Sequence, residues 1–377
     1  MLQALREFRI GRPQVFAGLL LLAFLLQCLW VAAGRRFSAL EYEYIASGLP
    51  KAPGQQFQTT SPLTGMAAAL PLHAVSALKS VAPASMKATL AIPRPWVVRL
   101  PFVIFGLSLG GALWWVARRL FGDSGGYVAL ALYCFSPAMV MISSEVGPEI
   151  ILAWSSFGLI YTAIGVAHTL YAPPRKWAPR ILILGAAIGI CLATAIWAFT
   201  IVLLAFALML YLSPDRRRQS ARVLLGALLI GVAIFFLVNW AVGVPVLPGH
   251  SLITPRPSYE VILNLGFVFA DGYELAALLV FALTVYGSWD RVRYFGNTAP
   301  LIVAFAIVCL FALVPAIHLW EATLGLSFTF LFIGGVAADV LEASWQRAVS
   351  VSLAAIFVVK SVLALRLLSA WIHQNSI

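Results

Sequence analysis

Residues 13–33 read PQVFAGLLLLAFLLQCLWVAA, an uninterrupted apolar run with Arg6, Arg9 and Arg12 before it and Arg35 after it. At a rise of about 1.5 Å per residue, a run of this length makes one bilayer crossing. It is longer than the apolar core of a signal peptide, and no small-residue cleavage site precedes Arg35, so it reads as a retained helix. The rest of the 377-residue chain repeats the pattern, with 62% hydrophobic and only 10% charged residues. A water-soluble domain carries about 25% charged residues. Composition therefore excludes that class, together with the disordered, collagen-like and disulfide-rich secreted classes. The apolar runs are long and continuous rather than alternating ten-residue segments, which excludes an outer-membrane barrel. The expected fold is all-α: a polytopic membrane protein of about 11 transmembrane helices, each using roughly 20 apolar residues.

The net charge of +11 does not signal nucleic acid. Basic residues gather in short clusters between apolar runs: Arg6, Arg9 and Arg12; Arg118 and Arg119; Arg175, Lys176 and Arg180; Arg216, Arg217 and Arg218; Arg291 and Arg293. That is the positive-inside pattern, and it places the N-terminus in the cytoplasm; the expected setting is a bacterial-type inner membrane. After the first span, the remaining spans fall near 97–117, 126–144, 149–170, 180–196, 198–212, 222–242, 272–289, 298–317, 321–339 and 347–368. The run 181–212 is too long for one crossing and too short for two ordinary ones. A tight pair of short helices turning near Trp197 keeps both flanking basic clusters on the inner side. The count puts the C-terminus outside. The chain reads as a single integral membrane domain with no C-terminal soluble domain, and its longest loop, 34–96, lies on the outer face. Within that loop, 62–81 contains Pro71, His73 and Lys79 and is expected to lie along the surface as an interfacial helix.

Ionisable groups at a membrane surface are informative because their burial is costly. This topology sends Glu41, Glu43, Glu145, Glu149, Glu260, Asp271, Glu274 and Glu321 to the outer side. Glu41 and Glu43 open the long loop, and Glu145 and Glu149 sit where a later span emerges on the same face. Two acidic pairs meeting there can supply a general base and a partner that positions phosphate or a divalent metal. The plainer alternative makes them solvated loop-end residues or partners of Arg35, Arg36 and Arg99. His73, His250, His318 and His373 share no ligand-like spacing, and no Cys-x-x-Cys or phosphate-cradling Gly-rich loop occurs. The cysteines, Cys28, Cys134, Cys191 and Cys309, each lie inside an apolar run and read as small hydrophobes.

The stretch Arg36-Phe37-Ser38-Ala39-Leu40-Glu41-Tyr42-Glu43-Tyr44-Ile45-Ala46 resembles the Phe-Ser-x-Asp-Glu-x-x-Tyr-x-x-Ala motif of GT-C-type glycosyltransferases, the superfamily of protein O-mannosyltransferases and lipid A aminoarabinose transferases. Ser61-Pro62-Leu63 resembles the family's Pro-Pro-Leu segment, Val98-Arg99-Leu100-Pro101 its Arg-Leu-Pro, and Arg118 to Gly122 its inner turn, with Ser136-Pro137 and the stretch Glu145 to Leu152 following in order. The resemblance covers the first 160 residues. It implies transfer of a sugar, with inversion, from a polyprenyl-phosphate-linked donor to an acceptor at the outer face. The first-loop acid would act as base, and arginines would hold the donor phosphate.

On this reading the catalytic candidates are Glu41, Glu43 and Glu149, and the phosphate-binding candidates are Arg35, Arg36 and Arg99, with Arg94 on the same side. A lipid-linked sugar is the co-substrate; the partners are membrane lipid and the polyprenyl-phosphate donor, with no nucleic acid. Leu40 stands where the family carries its Asp, so the base shifts to Glu41 or Glu43. The turn Ala193 to Trp197 lacks the lysine many relatives carry there. These departures keep a second reading open, a catalytically inactive GT-C-like subunit that serves as scaffold or binding partner in a larger membrane complex. A lipid transporter is a third.

Overall fold

The computed structural model describes residues 12–49, 61–81, 94–171, 177–242, 273–288, 295–313, 323–342 and 346–374. Arg6, Arg9, Arg175, Lys176, His250, Glu260, Asp271, Arg291, Arg293, His318 and Glu321 lie outside the described residues. Within them the chain is helical, with no strand. In order the helices are α1 (Arg12–Gly34), α2 (Ala39–Ser47), α3 (Pro62–Val81), α4 (Pro95–Cys134), α5 (Pro137–Ser143), α6 (Pro148–Thr169), α7 (Ala178–Thr194), α8 (Phe199–Leu212), α9 (Arg217–Val242), α10 (Tyr273–Ser288), α11 (Phe295–Leu313), α12 (Leu324–Leu341) and α13 (Gln346–Gln374). Among the described residues six segments are long and apolar enough to cross a bilayer: Pro13–Gly34, Pro95–Cys134, Pro148–Thr169, Pro214–Val242, Leu324–Leu341 and Ser350–Gln374. Shorter apolar helices accompany them at Ala178–Thr194, Ile196–Leu212, Glu274–Ser288 and Thr298–Ile307.

Two expected spans arrive in a different form. Segments 97–117 and 126–144 share one 40-residue helix, α4, which breaks at Gly122, where φ is 76° and ψ −172°. Only glycine enters that region of backbone space without strain. The outgoing half then stops at Cys134, because Pro137 cannot continue a helix and instead begins α5 with Ser136 as its cap; the Ser136 hydroxyl accepts from the Met139 N–H at 3.1 Å.

The bundle has two chemically distinct ends. At one, α1 finishes, α4 and α6 begin and α13 ends: Arg99 near the start of α4 donates to carbonyls of α1, and Ile372 packs on Gly34. The other end lies about 30 Å away, one helix length along α4 and α6. There Arg216 donates to the Leu170 carbonyl and stacks 4.9 Å from the Tyr171 ring centroid, Arg180 reaches the Gly165 carbonyl, and Arg118 pairs with Asp123. The short pair α7 and α8 turns back through Ala195–Ala198, so Arg180 before it and Arg216 after it share one end. Exposed aromatics mark both levels. Trp30, Trp96 and Trp240 stand toward the first end, and Trp115, Tyr171 and Tyr211 toward the second. Trp96 and Trp115 are separated along α4 by about 28 Å, close to a hydrocarbon thickness.

Small residues set the tightest helix contacts, as they do where lipid and protein interiors are equally apolar. A Cβ on Gly185 would fall 2.7 Å from Ile230, one on Gly189 2.6 Å from Ile234, and one on Gly231 2.5 Å from Ile188, so α7 and α9 run side by side in parallel. α12 is the central helix, buried from Leu324 to Val336; Phe328 lies against Phe157, Phe330 against Tyr133 and Phe332 against Tyr286.

Candidate functional site

The site begins with a local signal. Ser38-Ala39-Leu40-Glu41 is a capping box: the Ser38 hydroxyl accepts from the Glu41 N–H at 3.2 Å, and Glu41 Oε2 accepts from the Ser38 N–H at 2.8 Å. The box starts α2 and turns Glu41 inward, where it is 2% exposed. Arg99, fully buried near the start of α4, meets it with both edges of a bidentate pair: Nε to Oε1 and Nη2 to Oε2, each at 2.8 Å. The other guanidinium hydrogens go to three carbonyls at the end of α1 and just past it, with Nη1 on Ala32 and Arg35 and Nη2 on Arg36. All five donors are thereby used. Glu41 Oε1 also accepts from the Val146 N–H at 3.0 Å, so the carboxylate takes four hydrogen bonds, the number it can accept. One ion pair thus joins α1, α2, α4 and the α5–α6 turn.

α2 is then locked to α3. A Cβ on Gly48 would sit 1.9 Å from the Gly65 carbonyl oxygen, and one on Gly65 2.5 Å from the Ser47 hydroxyl. Behind α2, α3 packs against α4, α7 and α9.

The α5–α6 turn brings the second acidic pair to the same place. Glu145 pairs with Arg35, and its carboxyl also feels Glu41 and Arg99. Burial pushes the Glu145 carboxyl above the usual range, more than Arg35 and Arg99 pull it down. Glu149, in the first turn of α6, is half-buried and folds its carboxylate back over Gly147, where a Cβ would meet Oε2 at 2.1 Å. Among the described residues no ion pair engages it, and the Glu145 charge lies nearby. Arg35 is 5% exposed and lies flat on the Trp371 ring near the end of α13, with its guanidinium carbon 3.4 Å from the ring centroid.

The two acidic loops therefore do converge, and two of the arginines named as alternative partners claim an acid each: Arg99 takes Glu41 and Arg35 takes Glu145. Glu43 is exposed on α2 beside Tyr42 and Leu40, the latter 62% exposed. Arg36 and Arg94 are exposed at the same end. The turn after α7 carries a buried Trp197 and no cation. Trp371 and the Val146 amide are contributors that the sequence does not announce; an aromatic near the end of a last span reads as an interface anchor. For a divalent cation the described residues supply no convergent group of three His, Cys, Asp or Glu, and the Glu145–Glu149 pair falls short of a cage.

Fold and site together define a polytopic helical membrane protein with a charged site at one end of its bundle. Residues 81–240 match the family described as dolichyl-phosphate-mannose-protein mannosyltransferase. Among solved structures, ArnT from Cupriavidus metallidurans in the apo state is 15% identical, with a TM-score of 0.63 over 86% of this chain and 59% of that one. The same enzyme bound to undecaprenyl phosphate gives 0.62 over the same shares. The oligosaccharyltransferase of Archaeoglobus fulgidus in the apo form is 12% identical, with a TM-score of 0.59 over 98% of this chain and 56% of that one. This chain thus spans less than two thirds of the length of these structures. A search of curated proteins finds no match. Over residues 81–240 the chain is thus similar to this family, and over most of its length it shares the all-α membrane fold of these solved structures.

Proposed function

We propose that this protein is a membrane glycosyltransferase that moves a sugar from a polyprenyl-phosphate-linked donor to an acceptor hydroxyl. The reaction takes place at the membrane face carrying α2 and the α5–α6 turn, which is the outer face if the basic clusters lie in the cytoplasm. One observation carries the reading: acids from two separate loops meet around arginines at a single end of the bundle. The structure bound to undecaprenyl phosphate shows that a protein of this fold takes such a lipid.

The saturated geometry of Glu41 and Arg99 supports a different part for them from that of Glu149 and Arg35. A carboxylate already holding four hydrogen bonds has no lone pair for an acceptor proton, and a guanidinium with five bonds made has no donor for phosphate. Glu41 and Arg99 therefore position α2 and the α5–α6 turn. Glu149, bound to no cation, takes the proton of the acceptor hydroxyl as that oxygen attacks the anomeric carbon. The bond from carbon to phosphate oxygen breaks, and the polyprenyl phosphate that leaves carries its negative charge toward Arg35 and Arg36. Glu43, exposed on α2, is the alternative base.

The test is turnover by purified protein on a panel of polyprenyl-phosphate sugars, comparing wild type with Glu149→Gln, Glu43→Gln and Glu41→Gln. The base is identified by a loss of about 10²–10⁴-fold in rate with an unchanged melting temperature. Loss of rate together with stability is the signature expected for Glu41. One observation supports a second reading, an inactive scaffold or binding subunit: the family's acid position is held by Leu40, 62% exposed. Absence of turnover across the panel, with recovery of the protein in a stable complex, selects that reading.

A further inference from the structure

We infer that Trp371, near the C-terminal end of α13, is a positioning residue for the anion site: it holds the Arg35 guanidinium by its face so that the edge donors stay available for a phosphate headgroup. The inference rests on the proposal that Arg35 receives the donor phosphate.

The argument is a contrast between two buried arginines a few ångströms of backbone apart. Arg99 is held by its edges: five N–H groups, five acceptors, nothing left over. Arg35 is held by its plane. Its guanidinium carbon lies 3.4 Å from the Trp371 ring centroid, well inside the range of about 6 Å over which a cation is drawn to an aromatic face. Stacking uses the π-surface and consumes no N–H. Nη1 engages Glu145, and Nε, although buried, has no hydrogen-bond partner among the described residues. A buried, unpaired guanidinium donor is costly unless something fills the position. A phosphate oxygen, which arginine binds through two parallel N–H groups, fits that need.

The backbone confirms that the contact is built in. Ile372, the next residue, packs on Gly34, where a Cβ would come within 2.9 Å of its side chain. The residue before Arg35 and the residue after Trp371 are thus in contact, and the last turn of α13 is registered against the last turn of α1. Glu145 neutralises Arg35 through Nη1. The charged groups facing that carboxylate are Arg35, Arg99, Glu41 and Glu149. An arriving phosphate competes with Glu145 for the same cation, and the ring keeps that cation in place during the exchange.

The experiment measures binding of undecaprenyl phosphate, with undecaprenol as the headgroup-free control, to purified full-length protein in detergent. The variants are Trp371→Leu, Trp371→Phe, Arg35→Gln, Arg35→Lys and the double variant Arg35→Gln/Trp371→Leu. Trp371→Leu is expected to weaken undecaprenyl phosphate binding about 5- to 20-fold, the range of a desolvated cation–π contact, with no change for undecaprenol. Trp371→Phe restores most of the loss, and the double variant binds no more weakly than Arg35→Gln alone. Arg35→Lys, which keeps the charge but loses the planar face, falls with Trp371→Leu and serves as the test should that variant not fold.

Wild-type affinity in Trp371→Leu, an equal loss for undecaprenol, additive losses in the double variant, or full binding by Arg35→Lys each overturns the inference while leaving the phosphate site intact. A wild type that does not prefer undecaprenyl phosphate to undecaprenol overturns the phosphate-binding proposal itself, and this inference with it.

Discussion

Replacing Arg99 by leucine tests whether the Glu41–Arg99 pair is the keystone of the site end. The substitution leaves Glu41, 2% exposed, with two of its four donors, the Ser38 and Val146 amides. It also strips a partner from the carbonyls of Ala32, Arg35 and Arg36. Removing one member of a buried ion pair costs about 3–5 kcal/mol, because the other charge stays buried without compensation. The three carbonyls lie where α1 ends and are the acceptors a helix end leaves open, so each adds up to about 1 kcal/mol unless water reaches it.

Three buried cysteines, Cys28, Cys134 and Cys191, provide the assay: a thiol-reactive dye reports their exposure on heating, in a Cys309→Ser background because Cys309 is exposed. At about 2–4 °C per kcal/mol, the scale for larger domains, loss of the ion pair in Arg99→Leu is expected by itself to lower the midpoint by roughly 6–20 °C. The double variant Arg99→Leu/Glu41→Leu removes both charges, and its loss should be smaller than the sum of the single losses by about 2 kcal/mol or more. A shift below about 2 °C for Arg99→Leu, against that expected scale, or strict additivity in the double variant, refutes the keystone assignment. A Glu41→Gln protein with wild-type stability but no turnover returns Glu41 to the chemistry.

Glu145 should make stability depend on pH in a direction opposite to an ordinary salt-bridged acid. Its folded carboxyl lies above the unfolded value, so the folded state holds more protons in that window and stability falls as pH rises through it; Glu145→Gln removes the slope in a pH series of melts. On the α7–α9 seam, Gly189→Val is expected to cost about 1–3 kcal/mol by overpacking against Ile234, whereas Gly226→Ala, whose nearest neighbour is Ile181 at 3.6 Å, is expected to be neutral or stabilising by up to about 1 kcal/mol; the same thermal assay ranks the two.

Much of the architecture is legible in the residues because it is decided locally. The apolar run 13–33 must be a helix in lipid, where every backbone group needs an internal partner. The basic clusters sort the ends. The capping box from Ser38 to Glu41 is equally local, needing only four consecutive residues. The resemblance of residues 36–46 to the GT-C motif points to the region of the site, and the alternative of Arg35 and Arg99 as acid partners is visible as a question of charge.

Which arginine takes which acid is decided by tertiary structure alone. Glu41 finds Arg99 58 residues away, Arg35 finds Glu145 110 residues away, and Trp371 reaches Arg35 from the far end of the chain. These choices depend on how each helix is rotated about its axis, and one residue along a helix turns a side chain by about 100°. In a soluble protein the polar face reports that rotation. In a membrane the face toward lipid is as apolar as the face toward the core, so hydropathy marks where α1, α4 and α13 lie along the sequence but carries no sign of which way Arg35, Arg99 and Trp371 point.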